Sequence, residues 1–457
     1  MAQAPTPAAQ SSGALAQAPG WMAPLVVALF FLWGFATVLI DHLTPKFKAV
    51  FELNFAEANL TQFCFFGAYF LVSMPAAVMM SRIGYMNQAM IGLAVMAAGC
   101  LGFVPATATG EYWPFLVSLF VLGAGVTMLQ VAANPLIAIL GKPSGSHARL
   151  MSAQFFNSLA TFVGPLIGAV TILHGISDPP DISGMSATEI AQVRATQAHA
   201  VQGPFVIVGL ILLVLALVFL LTRKQVKATP EPAPGLGLGL LGRPRVLLAV
   251  LGIFTYVGAE VTIGNNMANY IAALDLAAQP LGPLTSFFAS TGLVAGLSDF
   301  AGGNPPLALA GALVALYWGG AMLGRLVGAV LLTRVKAGPL LMLFALAASA
   351  LAVISINSTG QMAFVTIICI GLFNSIMFPT IFTLGIEGLG ARTPEGSGLL
   401  CMAIVGGAVA PLLTGYLADQ FGLNTALYLP ALCYLYIAFF GFYARKDVAE
   451  PQKRRLR

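Results

Sequence analysis

Two carboxylates, one in each half of the chain, lie at or inside long apolar runs. Asp41 ends the run FLWGFATVLID, and Glu260 lies within YVGAEVTIGNN. A carboxylate near the centre of a membrane helix costs roughly 2.5–3.5 kcal/mol, so it persists where it faces water, a partner or a ligand. These positions predict that an ion or a polar solute passes through the protein. Asp41 is the first candidate for cation coupling or a Na⁺ ligand, and Glu260 is the second. Asp41 has a structural alternative, in which it only caps its helix at the outer surface.

Each carboxylate shares a helix face with other functional groups. Trp33, Thr37 and Asp41 recur at i, i+4 and i+8, which places a ring, a hydroxyl and a carboxylate on one face. Tyr256 lies four residues before Glu260 in the same way, and Asn265 follows Gly264. We expect the backbone near Gly264 to unwind and line the site.

Four amides form two pairs at helical spacing. Gln130 and Asn134 lie at i, i+4, and Gln154 and Asn157 lie at i, i+3. Amides donate and accept hydrogen bonds, as sugar hydroxyls do, and nearby Phe side chains would pack against the sugar's C–H faces. The alternative is that these amides only hydrogen-bond neighbouring helices.

Other residues suit gating or support, and they include Trp33 and Thr37 of the first span. Asn374 and Pro379 lie in a stretch that predicts a kinked helix (NSIMFPTIFTLG). Arg325, with Arg82 and Arg334, is expected to anchor the ends of the two halves.

The elements that position these residues are membrane helices. The chain is 58% hydrophobic and 8% charged, against about 25% charged in soluble domains. Apolar runs of roughly 18 or more residues recur along it, each long enough to cross a bilayer. They predict an all-α membrane protein with twelve spans, at about 24–43, 60–81, 86–105, 114–140, 151–174, 203–222, 246–273, 307–333, 339–356, 361–388, 396–418 and 422–444.

The spans divide into two similar halves. AVMMSRI at 77–83 matches AVLLTRV at 329–335, and both close an even-numbered span. We predict a disordered cytoplasmic tail over 1–23, a six-helix half over 24–222, a cytoplasmic linker over 223–245, a second half over 246–444 and a basic cytoplasmic tail over 445–457. Because Lys and Arg concentrate in the even-to-odd connections, both termini are expected to be cytoplasmic.

Several function classes are not supported by the sequence. The five cysteines form no C-x-x-C pair, the four histidines show no metal-ligand spacing, and no Walker A loop or catalytic constellation is present. The match to G-x-G-x-x-G at Gly237, Gly239 and Gly242 follows no strand. The net charge of +5 lies in membrane-flanking segments, so nucleic acid is not an expected partner. We expect neither an enzyme nor a cofactor.

Together, FLWGFATVLID, LQVAANPLIAILG, AQFFNS, YVGAEVTIGNN and FPTIFTLGIEGLG resemble the fucose/glucose/galactose permease branch of the major facilitator superfamily. The resemblance covers nearly the whole chain and is greatest to the bacterial glucose/galactose transporters. It implies the major facilitator fold and a cation-coupled monosaccharide symporter of the bacterial inner membrane.

The chain also departs from the proton-coupled fucose permeases of this branch. Those proteins carry an acid in the fourth span, where this chain has Gln130, and an amide in the seventh, where it has Glu260. Because glutamine does not titrate, position 130 cannot be a proton switch here, and the coupling ion, Na⁺ or H⁺, stays open.

We therefore expect a monomeric symporter that imports a monosaccharide, such as glucose or galactose, by alternating access. Gln130, Asn134, Gln154, Asn157, Tyr256, Glu260 and Asn265 are the expected substrate-binding residues. The alternatives are an uncoupled sugar facilitator, an exporter of amphipathic compounds on the same fold, and a non-transporting sugar sensor.

Overall fold

Each of the twelve predicted spans overlaps a helix or a pair of consecutive helices in the described part of the chain. The computed structural model describes residues 21–51, 53, 55–139, 145–168, 186–223, 237–274 and 305–445. In this part, ten helical segments are long and apolar enough to cross a membrane, and no strand occurs. The fold is therefore all-helical, as the apolar runs predict.

The described residues of the first half form seven helices. They are α1 (Met22–Val50), α2 (Phe55–Ile83), α3 (Tyr85–Leu101), α4 (Phe103–Thr109), α5 (Trp113–Ile139), α6 (Ser146–Gly168) and α7 (Ala187–Thr222).

The second half follows a short 3₁₀ turn, Leu238–Gly242. Its helices are α8 (Pro244–Ala273), α9 (Pro305–Leu331), α10 (Ala337–Ile356), α11 (Gly360–Asn374), α12 (Met377–Ile386), α13 (Thr393–Met402), α14 (Gly406–Phe421), α15 (Leu423–Ala426) and α16 (Tyr428–Tyr443).

Several predictions fall on residues outside this description. They include most of the predicted 1–23 and 445–457 tails, positions 224–236 of the linker, and the side chain of Asp41 within α1. The end of the linker is described, and α8 already begins at Pro244 inside the predicted 223–245 segment.

Two features of the seventh and tenth spans test local predictions. The tenth span breaks between α11 and α12, just before Pro379, as the predicted kink requires.

The expected unwinding near Gly264 is wrong: α8 runs unbroken through Gly264 and Asn265, and the Asn266 side chain donates to the Thr262 carbonyl at 2.9 Å. The ordinary helical hydrogen bonds are thus kept at this glycine.

The outer surface of the bundle suits lipid. On α7, Ile207, Val214 and Leu221 are 61%, 64% and 71% exposed and repeat every seven residues along one face. A monomer in water rarely exposes such a stripe, whereas hydrocarbon would solvate it. The polar groups of interest instead lie inside, where the two halves meet.

The halves pack closely at one end of the bundle. A methyl group built on Gly398 of α13 would lie 2.6 Å from Cβ of Ala77 on α2, so only glycine permits this approach. Nearby, the Ser397 hydroxyl donates to the Val131 carbonyl of α5 at 2.8 Å. This end carries Arg82, Arg149, Arg223, Arg245, Arg334, Arg392 and Arg445 at or beside helix ends, and we call it the basic end.

Candidate functional site

A buried tyrosine holds the carboxyl group of Glu260. Both residues lie on α8 at i, i+4, and the Tyr256 hydroxyl donates to Glu260 Oε1 at 2.6 Å. Tyr256 is 1% exposed, whereas Glu260 keeps partial solvent access. A carboxyl group with one fixed donor and some access to water can exchange a proton or accept a ligand hydroxyl.

Arg325 connects the second half to the first beside this carboxyl group. It is 6% exposed on α9, and its Nη1 donates to the backbone carbonyl of Gln154 at 2.9 Å and to the Ser158 hydroxyl, both on α6. The guanidinium also interacts electrostatically with Glu260, without an ion pair within 4 Å in the described structure. Its Nε has no hydrogen-bond partner among the described residues.

The structure places Arg325 deeper in the bundle than the predicted position at the end of its half. It lies six residues before the end of α9 at Leu331, about 9 Å inside the helix. Instead, it reaches across the contact between the two halves.

Two further tyrosines and an asparagine complete the group. The Asn374 side chain of α11 donates to the Tyr317 hydroxyl of α9 at 2.7 Å. The Tyr434 hydroxyl of α16 is buried with no hydrogen-bond partner in the described structure, and it interacts electrostatically with Glu260. We call Tyr256, Glu260, Tyr317, Arg325, Asn374 and Tyr434 the carboxyl cluster.

A second polar group joins α2 and α5 to α13. Gln130 donates to the Tyr69 hydroxyl at 2.7 Å. Asn134 is fully buried, and neither of its amide atoms has a hydrogen-bond partner in the described part of the chain. The Cys401 thiol lies beside Asn134 and Ser397. We call Tyr69, Gln130, Asn134, Ser397 and Cys401 the amide cluster.

The other amide pair borders the carboxyl cluster. Asn157 donates to the Phe30 carbonyl of α1 at 3.0 Å, which leaves its Oδ1 as an acceptor. A methyl group on Gly34 would lie 2.4 Å from Asn157 Nδ2, so this contact is tight. Gln154 is buried, and its backbone carbonyl, rather than its amide, bonds Arg325.

The remaining predicted residues lie apart from these clusters or outside the description. Trp33 is buried and packs against Phe30 with ring centroids 4.1 Å apart, and Thr37 donates to the Trp33 carbonyl at 2.7 Å. Asn265 is exposed on α8. The side chain of Asp41 is not described, and no group of three or more possible metal ligands occurs among the described residues.

Tyr69, Ser158, Tyr317 and Tyr434 were not predicted. Each tyrosine lies in an apolar run, where a buried hydroxyl needs a partner, and that need is the signal that would have found them. Ser158 directly follows Asn157, yet a serine hydroxyl in a helix is usually satisfied by a backbone carbonyl of the preceding turn.

Comparison with known proteins places the chain in a family. The model of the Major Facilitator Superfamily matches residues 22–403. A glucose/galactose transporter of Brucella abortus is 42% identical over 430 residues, which are 94% of this chain and 95% of that protein. The L-fucose-proton symporter of Escherichia coli is 32% identical over 427 residues, 91% of each chain.

Solved structures give the same result. A crystal structure of the Escherichia coli fucose:proton symporter, a variant with alanine at one position, matches with a TM-score of 0.78 and 29% identity, over 94% of this chain and 99% of that one. A structure of this symporter in the outward conformation gives the same TM-score at 30% identity, over 93% and 99%. The chain therefore belongs to the major facilitator superfamily and is a multi-pass membrane transporter, not an enzyme.

Proposed function

We propose that this protein is a proton-coupled symporter that imports a monosaccharide of the glucose/galactose type by alternating access. The observation that carries the proposal is that Glu260 interacts electrostatically with Arg325, a buried cation whose hydrogen bonds to α6 link the two halves. Similarity to glucose/galactose transporters supports the substrate, and similarity to fucose-proton symporters supports the ion. We place the protein as a monomer in a bacterial inner membrane, with the basic end and both termini in the cytoplasm.

The candidate sugar ligands are neutral hydrogen-bonding groups and one carboxyl group. Gln130, Gln154 and Asn157 offer amides, while Tyr256 and Glu260 offer a hydroxyl and a carboxyl group. Superfamily transporters of this architecture bind substrate between their halves near mid-membrane. Asn134 and Asn265 are further candidates, although the first is covered and the second is exposed in this conformation.

Proton coupling follows from the position of Glu260. In ionised form, the carboxylate attracts the Arg325 guanidinium away from Gln154 and Ser158. When Glu260 is protonated, this attraction is lost and the guanidinium stays hydrogen-bonded to α6. The charge on Glu260 therefore biases the contact between the halves, and this bias is the differential interaction that any switch needs. Asp41 is a second coupling candidate, because neutralising it would lower the desolvation cost of closing the halves.

The test is uptake of radiolabelled glucose, galactose and fucose into proteoliposomes of the purified protein. A pH gradient alone should concentrate glucose or galactose, and a protonophore should abolish the accumulation. Accumulation under a Na⁺ gradient alone would contradict proton coupling and make Asp41 and Glu260 candidate Na⁺ ligands. Exchange without accumulation would indicate an uncoupled facilitator, and broad export of amphipathic compounds would contradict the sugar assignment.

The role of Asp41 needs its own comparison of uphill uptake with counterflow. We expect Asp41→Asn to keep counterflow and lose accumulation if Asp41 couples. A variant that still concentrates sugar would leave Glu260 as the coupling residue.

A further inference from the structure

A cavity of about 390 Å³ opens at the basic end, away from both clusters. It lies among the ends of α9, α12 and α16 and the starts of α6, α8 and α10. Its charged and polar lining includes His147, Arg245, Arg334, Lys336, Glu387 and Arg445. The wall combines one helix of the first half with several of the second.

The lining carries an excess of positive charge. Arg245 forms an ion pair with Glu387 and also donates to the Leu384 carbonyl at 2.9 Å, so this pair is internally balanced. The other lining cations are Arg334, Lys336 and Arg445. Among the described lining residues, Lys336 makes an interaction of its own, so Arg334 and Arg445 are the cations that the cavity offers to a ligand.

The backbone adds to this field. α10 begins at Ala337, directly after Lys336, so its first amide groups and the positive end of its helix dipole lie at the cavity. A methyl group on Gly338 would lie 2.9 Å from the Ala444 backbone, which shows how closely α10 and the end of α16 approach. The guanidinium of Arg445 lies 3.7 Å from the centroid of the Phe442 ring, which orients it at the rim.

We propose that this cavity binds a phosphate-bearing anion, either the headgroup of an anionic lipid or free phosphate. Arginine matches phosphate through paired donors, and basic pockets between membrane helices on the cytoplasmic side bind anionic headgroups. The cavity has this chemistry and lies at the predicted membrane–water boundary.

The bound anion would stabilise the closed arrangement of the basic end. His147 of α6 hydrogen-bonds the Thr383 hydroxyl of α12 within the same region, so the cavity wall bridges the two halves. An anion held there would oppose their separation. This consequence for transport rests on the proposed function, whereas binding itself does not.

The test compares two double variants with equal charge loss. R334Q/R445Q removes two cavity cations, and R82Q/R243Q removes two exposed cations from the basic end outside the cavity. Native mass spectrometry of protein in mixed phosphatidylglycerol and phosphatidylcholine measures retained lipid. A separate titration with inorganic phosphate in neutral detergent measures the rise in Tm.

We expect the wild type and R82Q/R243Q to bind anion equally, and R334Q/R445Q to bind about 30-fold more weakly. Retention of phosphatidylglycerol without a response to phosphate identifies a lipid site, and a response to phosphate that competes with lipid identifies a free-anion site. Equal binding by both double variants would overturn the proposal. Because lipid retention is measured without transport, a failure here is distinct from a failure of the symporter assignment.

Discussion

The carboxyl cluster and the amide cluster both lie where the halves meet, but they use different chemistry. The carboxyl cluster belongs to the second half and contains the ionisable residues Glu260 and Arg325. The amide cluster, built mainly on the first half, contains Gln130, Asn134 and Tyr69 and has no carboxylate among its described members. Because the side chain of Asp41 is not described, the absence of a carboxylate is stated only for the parts of α2, α5 and α13 that form the amide cluster.

This difference in chemistry suits the two clusters to two tasks, sugar binding and proton exchange. A neutral amide or hydroxyl changes how tightly a sugar binds, but it cannot exchange a proton at physiological pH. A carboxyl group beside a buried guanidinium can do so, and we propose that its charge alters the contact between the halves. We therefore expect changes in the carboxyl cluster to alter coupling and conformation, and changes in the amide cluster to alter affinity.

The largest expected effect comes from Glu260→Gln. The amide can still accept from Tyr256 but cannot ionise, so uphill accumulation under a pH gradient should fall to the equilibrium level. Sugar counterflow should persist. Tyr256→Phe is the matched control, because it removes the hydrogen bond and keeps the titrating group. Accumulation by Glu260→Gln comparable to wild type would show that the proton is carried elsewhere.

Arg325→Met should open the basic end. Loss of a charged hydrogen bond is worth about 1.5–3 kcal/mol, equivalent to roughly 10- to 150-fold in a conformational equilibrium. Cys401 is fully buried between the halves and reports opening through its rate of alkylation. Cys100 is equally buried within the first half and should not respond, which separates opening from general unfolding.

The control substitution is Arg243→Met, which removes an exposed cation of the basic end that lies outside the cavity. It should leave Cys401 protected. If Arg325→Met and wild type react with alkylating reagent at the same rate, the contact between Arg325 and α6 does not hold the halves together.

A smaller effect is expected for Gln130→Leu in the amide cluster. It removes a hydrogen-bonding group of roughly 1–2 kcal/mol, so the KM for sugar should rise by about 5- to 30-fold. The accumulation ratio under a pH gradient should stay unchanged, because the proton carrier is intact. If Gln130→Leu abolished accumulation under a pH gradient and left the KM unchanged, Gln130 would take part in coupling. The two clusters would then not have separate tasks.

The helices were predictable, because a span of about 20 apolar residues has only one stable form in hydrocarbon. The break before Pro379 was also predictable, since proline cannot donate its backbone amide. The contact between Tyr256 and Glu260 was predictable, because residues at i and i+4 lie on the same face of a helix. The Arg325 contact did not, because its partners on α6 are 167 and 171 positions away and include a backbone carbonyl, which has no sequence signature. The unwinding expected at Gly264 failed because glycine permits, but does not require, a break in a helix.

The smallest and most discriminating change is Asn134→Ala. Neither amide atom of Asn134 is hydrogen-bonded in the described structure, so alanine removes a desolvation cost and leaves only a small void. We expect Tm to change by no more than about 2 °C. If the amide finds partners when the basic end opens, alanine will also favour the closed state, and maximal uptake should fall about 2- to 5-fold; a rise in the KM for sugar would show that Asn134 also binds the substrate. Slower alkylation of Cys401 would support this shift, whereas a large fall in Tm would show that Asn134 is bonded in the closed state and serves to hold α5 against α13.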